Sequence, residues 1–192
     1  MPKEAQFNVK EKLQLALHLF WRQGYNATSM ADLKSEMGLN PGSIYSAYGN
    51  KRDLYIKSLA LYEESVDYLF ARIAKIDSPK ERILYLFNSI LKEVKGKECK
   101  GCFMLNASLE VAPQDREVQT LADKATLRMR NFFREELLKA QAKKEVSKSL
   151  DPDSVSELLI LILFGMRVRS RGLPKRAELE SALNQVEALL AS

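Results

Sequence analysis

The sequence has few of the residues that mark specialised classes of protein. Its 192 residues include two cysteines and one tryptophan, with eight glycines and six prolines scattered along the chain. Two cysteines are too few for a disulfide-built scaffold, and so little glycine and proline argues against a fibrous or disordered chain. The longest apolar run, at residues 158–166, is about half of the roughly 18 residues needed to span a bilayer. We therefore expect a globular protein with no membrane partner.

Residues typical of catalysis and metal binding are also sparse. The one histidine, His18, lies between Leu17 and Leu19 with no paired carboxylate nearby, and the sequence has no Gly-rich phosphate loop or metal-ligand cluster. Cys99 and Cys102 have the two-residue gap of a redox pair, but no βαβ pattern surrounds them. A zinc site would need about four ligands. We predict that the chain is not an enzyme and uses no cofactor or metal. The alternative is a thiol-based redox or electrophile sensor, or a helical redox protein, that uses the two cysteines.

Charge is distributed unevenly along the sequence. The net charge is +5, and residues 1–52 hold seven Lys or Arg residues against four Asp or Glu residues. This asymmetry favours a polyanionic partner for the N-terminal end. The stretch MPKEAQFNVKEK at the start is polar and lacks the apolar run of an export signal. We expect a cytoplasmic protein whose cysteines lie in a reducing compartment.

Apolar residues recur at intervals of three and four along the whole chain, with turn residues between the periodic segments and no convincing strand. This pattern predicts an all-α fold. Capping residues support it, because Ser29 with Asp32 and Asn50 with Asp53 have the spacing of capping boxes, and Asn40 precedes a proline at a first helical position. The predicted helices lie at residues 8–23, 29–37, 41–48, 50–76, 79–94, 103–111, 114–144, 152–171 and 175–191.

The predicted helix at residues 41–48 is too short to have a core of its own. Ile44 and Tyr48, four residues apart, would face inward, whereas the outward positions are small or hydroxyl-bearing. These outward residues are Pro41, Gly42, Ser43, Tyr45, Ser46 and Ala47. Seven helical residues make a rod of about 10 Å, which suits end-on insertion into a major groove about 12 Å wide. Two helices joined by a glycine-containing turn, the second bare and polar, are typical of a helix-turn-helix that binds double-stranded DNA.

The same segment carries a longer set of matched positions. A Gly-Tyr pair precedes a Ser-capped helix, a Gly-hydrophobic turn follows, then a Gly-Ser-hydrophobic-Tyr helix, and then a lysine that opens the next helix. These residues are Gly24, Tyr25, Ser29, Gly38, Leu39, Gly42, Ser43, Ile44, Tyr45 and Lys51. Over residues 8–62 the sequence thereby resembles the N-terminal domain of the TetR family of bacterial transcriptional regulators. The resemblance implies a three-helix helix-turn-helix DNA-binding domain at residues 1–50 and a larger helical ligand-binding and dimerisation domain at residues 51–192.

The resemblance also implies roles for individual residues. Thr28 or Ser29 would contact phosphate at the start of the second helix, and Tyr45 and Lys51 would hold the DNA backbone on either side of the groove. The positions expected to meet base edges or sugars are Pro41, Gly42, Ser43, Ser46 and Ala47. Family members often carry an aromatic residue or a histidine at position 46 or 47, so serine and alanine there predict sparse direct readout and much specificity from DNA shape.

The helix at residues 152–171 is apolar around most of its circumference between Leu158 and Met166. A second apolar surface must therefore be covered. A partner subunit is the simplest cover, and a fully buried central helix in a monomer is the alternative. The resemblance implies a homodimer that pairs through the last two long helices. It further implies a repressor that binds a palindromic operator and is released by a small-molecule inducer.

An inducer pocket in the larger domain is a second implication of the resemblance. Its candidate lining residues combine aromatics and methionines with a few polar groups. They are Tyr62, Phe87, Leu91, Phe103, Met104, Asn106, Met129, Phe132 and Phe164. The stretch GCFMLNASLE is similar to the opening of a helix in many members of the family. In that position Cys102 would be a buried structural residue rather than a redox group.

Overall fold

The computed structural model describes residues 7–94, 100–172 and 176–191, which form nine α-helices and no strand. The helices are α1 Val9–Gln23, α2 Met30–Met37, α3 Pro41–Tyr48, α4 Lys51–Ile73, α5 Pro79–Glu93, α6 Phe103–Glu110, α7 Arg116–Ala142, α8 Pro152–Arg171 and α9 Arg176–Leu189. The all-α prediction is confirmed. Among the described residues, no helix is long and apolar enough to cross a membrane.

Helices α2 and α4 begin at the predicted capping boxes. The Ser29 hydroxyl accepts a hydrogen bond from the Asp32 N–H at 3.1 Å, and the Asp32 carboxylate accepts one from the Ser29 N–H at 2.8 Å. Asn50 and Asp53 make the same reciprocal pair, with both bonds at 3.0 Å. Each pair satisfies backbone donors that a helix N-terminus otherwise leaves without an intrahelical acceptor. These caps fix where the helices around α3 begin.

The first of two compact units comprises residues 7–68 and 103–122, and it holds the helix-turn-helix. Leu33 and Ile44 are fully buried in its core. The Phe103 ring on α6 meets the Tyr55 ring edge-on, with centroids 5.5 Å apart, and the Tyr62 ring with centroids 5.8 Å apart. Aromatic pairs in this geometry add about 0.5–1.5 kcal/mol to the effect of area burial. The cluster therefore anchors α6 to α4 within this unit.

The second compact unit is built from the remaining described residues, and its core lies between α5, α7, α8 and α9. Phe87 and Phe133 are fully buried there, with their rings stacked at a centroid distance of 6.0 Å. The same core contains a buried carboxylate, Glu136, which accepts hydrogen bonds from Arg82 at 3.1 Å and from Lys139 at 2.7 Å. A buried charge is tolerated when it is paired in this way.

Helix α4 ends at Ile73, three residues before the predicted end at residue 76. The Arg82 guanidinium explains the difference, because it donates to the carbonyl oxygens of Ile76 at 2.7 Å and Ala74 at 3.2 Å. The turn after the helix is closed by the Lys75 and Ile76 N–H groups, which donate to the Arg72 and Ile73 carbonyl oxygens at 3.1 and 3.0 Å. The predicted division into domains at residue 50 stays a prediction.

Candidate nucleic-acid interface

Helix α3 presents an exposed face without charged side chains. Tyr45 is 51% exposed, and Ser46 is exposed beside it. Ile44 and Tyr48 are buried on the opposite face, as the sequence predicted. The other predicted contact residues on this helix are exposed at Pro41 and Gly42 and half-buried at Ser43 and Ala47. The helix has 8 residues, a length of about 12 Å.

Both ends of α3 are fixed by side chains from neighbouring segments. The Asn40 side chain accepts from the Ser43 N–H at 2.8 Å at the start of the helix. At its end, the Lys57 ammonium donates to the Tyr48 carbonyl oxygen at 2.7 Å, and the Tyr48 hydroxyl donates to the Val9 carbonyl oxygen at 2.8 Å. The contact from Lys57 has no sequence signal beyond a cation near a helix C-terminus. Hydrogen bonds from side chains therefore hold α3 at both ends.

The structure distinguishes between the two hydroxyls predicted at the start of α2. Thr28 is fully buried, and its hydroxyl donates to the Gly24 carbonyl oxygen at 2.6 Å. Ser29 is exposed, and its hydroxyl lies 2.7 Å from the Asp32 carboxylate, whose pKa is lowered by the hydrogen bonds from Ser29. Of the two candidates for phosphate contact, Ser29 is the accessible one, and the Thr28 side chain closes the preceding loop.

Lys51 is the first residue of α4 and lies beside the loop between α1 and α2. Its Nζ lies 4.3 Å from the centroid of the Tyr25 ring, a cation–π geometry worth about 0.5–1 kcal/mol at an exposed site. Burial lowers the pKa of the Lys51 ammonium, and the Glu110 carboxylate partly offsets that effect. The side chain is half-buried. The Tyr25 ring and the Glu110 carboxylate thus hold the Lys51 ammonium in one position.

The next residue, Arg52, is held by two carboxylates. Its Nε donates to Asp115 at 2.5 Å, and its Nη2 donates to Asp115 and Glu117 at 2.9 Å each. The hydrogen bonds from Arg52 lower the pKa of Asp115, and the same bonds raise the pKa of Arg52. Asp115 also accepts from the Val118 N–H at 3.2 Å at the start of α7. Arg52 therefore ties the start of α4 to the start of α7.

A further carboxylate, Glu110, reaches the loop between α1 and α2. It accepts from the Tyr25 N–H at 3.0 Å and from the Asn26 N–H at 2.7 Å. Sequence reasoning missed both Glu110 and the Arg52–Asp115 pair, because the partners are 63 to 85 residues apart. No local pattern connects residues at such separations.

The predicted inducer-pocket residues are distributed between the two compact units. Tyr62, Phe103, Met104 and Asn106 belong to the first unit, where Phe103 and Met104 are buried. The other five belong to the second unit. There Phe87 and Leu91 are buried in the core, and Met129, Phe132 and Phe164 pack against it partly buried. Their role as pocket residues stays a prediction.

The two cysteines are only partly described. Cys102 is half-buried immediately before α6, and Cys99 lies outside the described residues. Over the part of the chain that the structure describes, no group of three or more His, Cys, Asp or Glu side chains could hold a metal ion.

The short exposed helix, its fixed ends and the adjacent positioned lysine define a helix-turn-helix DNA-binding protein. Comparison with known protein families leads to the same class of protein. Residues 13–57 match the family described as "Bacterial regulatory proteins, tetR family", and residues 79–186 match the "Tetracyclin repressor-like, C-terminal domain". The second match alone covers more than half of the chain. The chain therefore belongs to the TetR family, and it is a DNA-binding transcriptional regulator rather than an enzyme.

Individual relatives are regulators of the same kind. The chain is 28% identical over 174 residues to the HTH-type transcriptional repressor ComR of Escherichia coli, covering 86% of this chain and 80% of ComR. It is 28% identical over 149 residues to the uncharacterised HTH-type regulator YezE of Bacillus subtilis, covering 77% of each. Among solved structures, a cysteine mutant of the TetR-family regulator CifR, in complex with 26-bp double-strand operator DNA, superposes with a TM-score of 0.80 at 24% identity, covering 95% of this chain and 98% of CifR.

Proposed function

We propose that the protein is a cytoplasmic transcriptional repressor that binds a palindromic operator as a homodimer and is released by a small-molecule inducer. The observation that carries this proposal is the exposed, uncharged face of α3, which is fixed at both ends beside Lys51. The relative ComR is named a repressor, and CifR was solved with operator DNA. These relatives support the choice of a repressor and of operator DNA as the partner.

In the proposed complex α3 enters the major groove. Ser29, Tyr45 and Lys51 contact the DNA backbone, because exposed Ser29 precedes α2, exposed Tyr45 lies on α3, and half-buried Lys51 begins the helix that follows α3. The residues that face base edges or sugars are Pro41, Gly42, Ser43, Ser46 and Ala47. None of these five has a long hydrogen-bonding side chain, so we propose that much of the specificity comes from the shape and deformability of the DNA.

Replacement of Lys51 by alanine is expected to weaken binding to every DNA sequence by a similar factor. One phosphate contact is lost in each subunit, so the slope of log affinity against log salt should fall by about two units for a dimer. Fluorescence anisotropy titrations over a range of salt concentrations measure both quantities. Lys124→Ala removes an exposed cation from α7 and serves as the matched control. An unchanged slope in Lys51→Ala would remove Lys51 from the set of DNA contacts.

The proposed dimer surface lies on α8 and α9. Leu158, Leu161 and Val168 are 43%, 68% and 49% exposed in the single chain. With Gly165, which has nothing within 4 Å of an added Cβ, they follow the three-four-three spacing of one helix stripe. One exposed stripe of α9 carries small or uncharged polar residues, Ala177, Ser181, Asn184 and Ala188, whereas charged residues occupy other exposed positions of this helix. An apolar stripe beside a stripe of small side chains suits close helix packing against a second copy.

Release by an inducer is proposed as a population shift. The ligand would favour a conformation in which the two α3 helices of the dimer no longer match the half-site spacing. Linkage then requires that operator DNA weakens ligand binding by the same factor by which the ligand weakens DNA binding. Mass spectrometry of small molecules that co-purify with the protein from its host would supply a ligand for calorimetric titrations with and without operator. Equal ligand affinity in the two titrations would contradict the proposed coupling.

The sign of regulation is tested directly in cells. DNA fragments that the full chain selects from a random library define the operator, which is then placed between a promoter and a reporter gene. Repression predicts that expression of the protein lowers reporter output, and that deletion of the operator restores it. Increased output from the operator-bearing promoter would identify an activator instead.

A further inference from the structure

Glu110, the last residue of α6, holds the loop between α1 and α2 from a distant part of the sequence. Its carboxylate oxygens accept from two successive backbone N–H groups, those of Tyr25 at 3.0 Å and Asn26 at 2.7 Å. Hydrogen bonds from backbone donors to a carboxylate are roughly twice as strong as those between neutral groups. Two of them from one side chain fix both the position and the orientation of the loop.

The held loop supports residues that the proposed DNA complex uses. The Tyr25 ring lies under the Lys51 ammonium and packs against the Tyr55 ring, with centroids 4.8 Å apart. Thr28, at the other end of the loop, closes it by its bond to Gly24, directly before Ser29 caps α2. A shift of this loop would move both the Tyr25 ring, which contacts the Lys51 ammonium, and the start of α2.

Gly24 shows how closely the carboxylate approaches the loop. Its φ is +91°, and a Cβ built there would lie 2.8 Å from Glu110 Oε2. Real Cβ atoms essentially never approach another atom so closely. Glycine is therefore favoured at this position by its positive φ, and an added Cβ would also displace the end of the Glu110 side chain. The Gly-Tyr pair at the end of α1 and a glutamate more than 80 residues later in the chain form one structural unit.

A second carboxylate of the same corner acts on the other flank of Lys51. Asp115, five residues after Glu110, holds Arg52 through two hydrogen bonds at the start of α4. Glu110 at the end of α6 thus binds the α1–α2 loop, and Asp115, five residues later, binds Arg52 in the first turn of α4. Lys51 is the first residue of that turn.

We propose that Glu110 is a positioning residue for operator binding, which fixes the α1–α2 loop and through it Tyr25 and Lys51 in the geometry that the operator requires. This proposal rests on the proposed function of the helix-turn-helix. Glu110 does not itself contact DNA, because its negative charge would oppose phosphate. Its effect is therefore on the specific complex, in which the registration of α3 and Lys51 matters, and not on loose electrostatic association.

The test compares Glu110→Ala and Glu110→Gln with wild type and with Asp123→Asn, which removes the same charge from an exposed position on α7. We expect Glu110→Ala to weaken binding to a selected operator by about tenfold, the equivalent of one charge-assisted hydrogen bond. Glu110→Gln should have an intermediate effect, because its neutral oxygen still accepts one hydrogen bond. Binding to non-specific DNA should not be weakened in either variant, because both keep the Lys51 cation and lose a negative charge, and Asp123→Asn should resemble wild type.

Amide hydrogen exchange in the free protein gives a readout that is independent of DNA. In Glu110→Ala the Tyr25 and Asn26 amides should exchange at least about tenfold faster than in wild type, whereas amides in α5 should be unaffected. A merely stabilising role of Glu110 would instead lower specific and non-specific binding together, in proportion to the folded fraction, and raise exchange throughout the protein.

Failure of this proposal differs from failure of the proposed function. If wild type selects no DNA sequence, both fail. If wild type binds its operator and Glu110→Ala binds it equally well while the protein is folded, the role assigned to Glu110 is overturned and the DNA-binding function stands.

Discussion

Leu161→Glu is expected to convert the proposed dimer into a monomer and to weaken operator binding by at least about 100-fold. Leu161 is the most exposed apolar residue of the α8 stripe, and it is 68% exposed in the single chain. In the dimer it would be buried, and a carboxylate there would be desolvated without a partner. Because two linked half-site contacts bind far more tightly than either alone, loss of the dimer removes most of the operator affinity.

A matched variant separates dimer disruption from loss of folding. Leu109→Glu introduces the same change at a residue of α6 that is 66% exposed. Both substitutions are on the surface of the single chain, so neither is expected to unfold it. Light scattering at micromolar concentration and operator titration should show a monomer that binds poorly for Leu161→Glu and a dimer with wild-type affinity for Leu109→Glu. A dimeric Leu161→Glu protein would exclude the α8 stripe from the interface.

The second large effect is expected from a negative charge on α3. Ser46→Glu places a carboxylate on the exposed face of a helix that has no charged side chain. If this face enters the major groove, each subunit brings a carboxylate close to phosphates and to the base-edge acceptors. Like-charge juxtaposition at an interface costs several kcal/mol, so operator affinity should fall by at least about 100-fold.

Two further variants make the Ser46 result specific. Ala71→Glu adds the same charge to an exposed position of α4, and it should change affinity by less than about threefold because it lies outside the proposed interface. Ser46→Ala should also have a small effect, since direct readout by this position is expected to be sparse. Circular dichroism and operator titration measure folding and affinity for all three variants. A folded Ser46→Glu protein with wild-type affinity would mean that α3 does not enter the groove.

The helix ends were the most predictable part of the fold, because their signals are local. Asp151 and Gly172 bracket α8 at the predicted bounds, and the Asp151 side chain accepts from the Ser154 N–H at 3.0 Å. The end of α4 was less predictable. It depends on Arg82, whose side chain captures two carbonyl oxygens of the following turn, and the pattern of apolar residues carries no information about such a capture.

Within the candidate site, the burial or exposure of each α3 residue was predictable, because it depends only on which face of the helix the residue occupies. Alternation between buried Ile44 and exposed Tyr45 follows from helix geometry alone. The distinction between Thr28 and Ser29 was not predictable, because either hydroxyl suits a helix start and only the loop geometry places one inside. The Glu110 contacts were likewise hidden, since they join residues 84 and 85 positions apart through backbone groups that every sequence possesses.

The central claim is that two copies of this chain read one two-fold symmetric DNA site through α3. Native mass spectrometry of the full chain on the selected operator, combined with hydroxyl-radical footprinting, tests it most directly. We expect two chains per duplex and two related half-sites, with protection centred about one helical turn of DNA apart or a multiple of it. One chain bound to a single unrepeated site, or two chains on a site without two-fold symmetry, would contradict it.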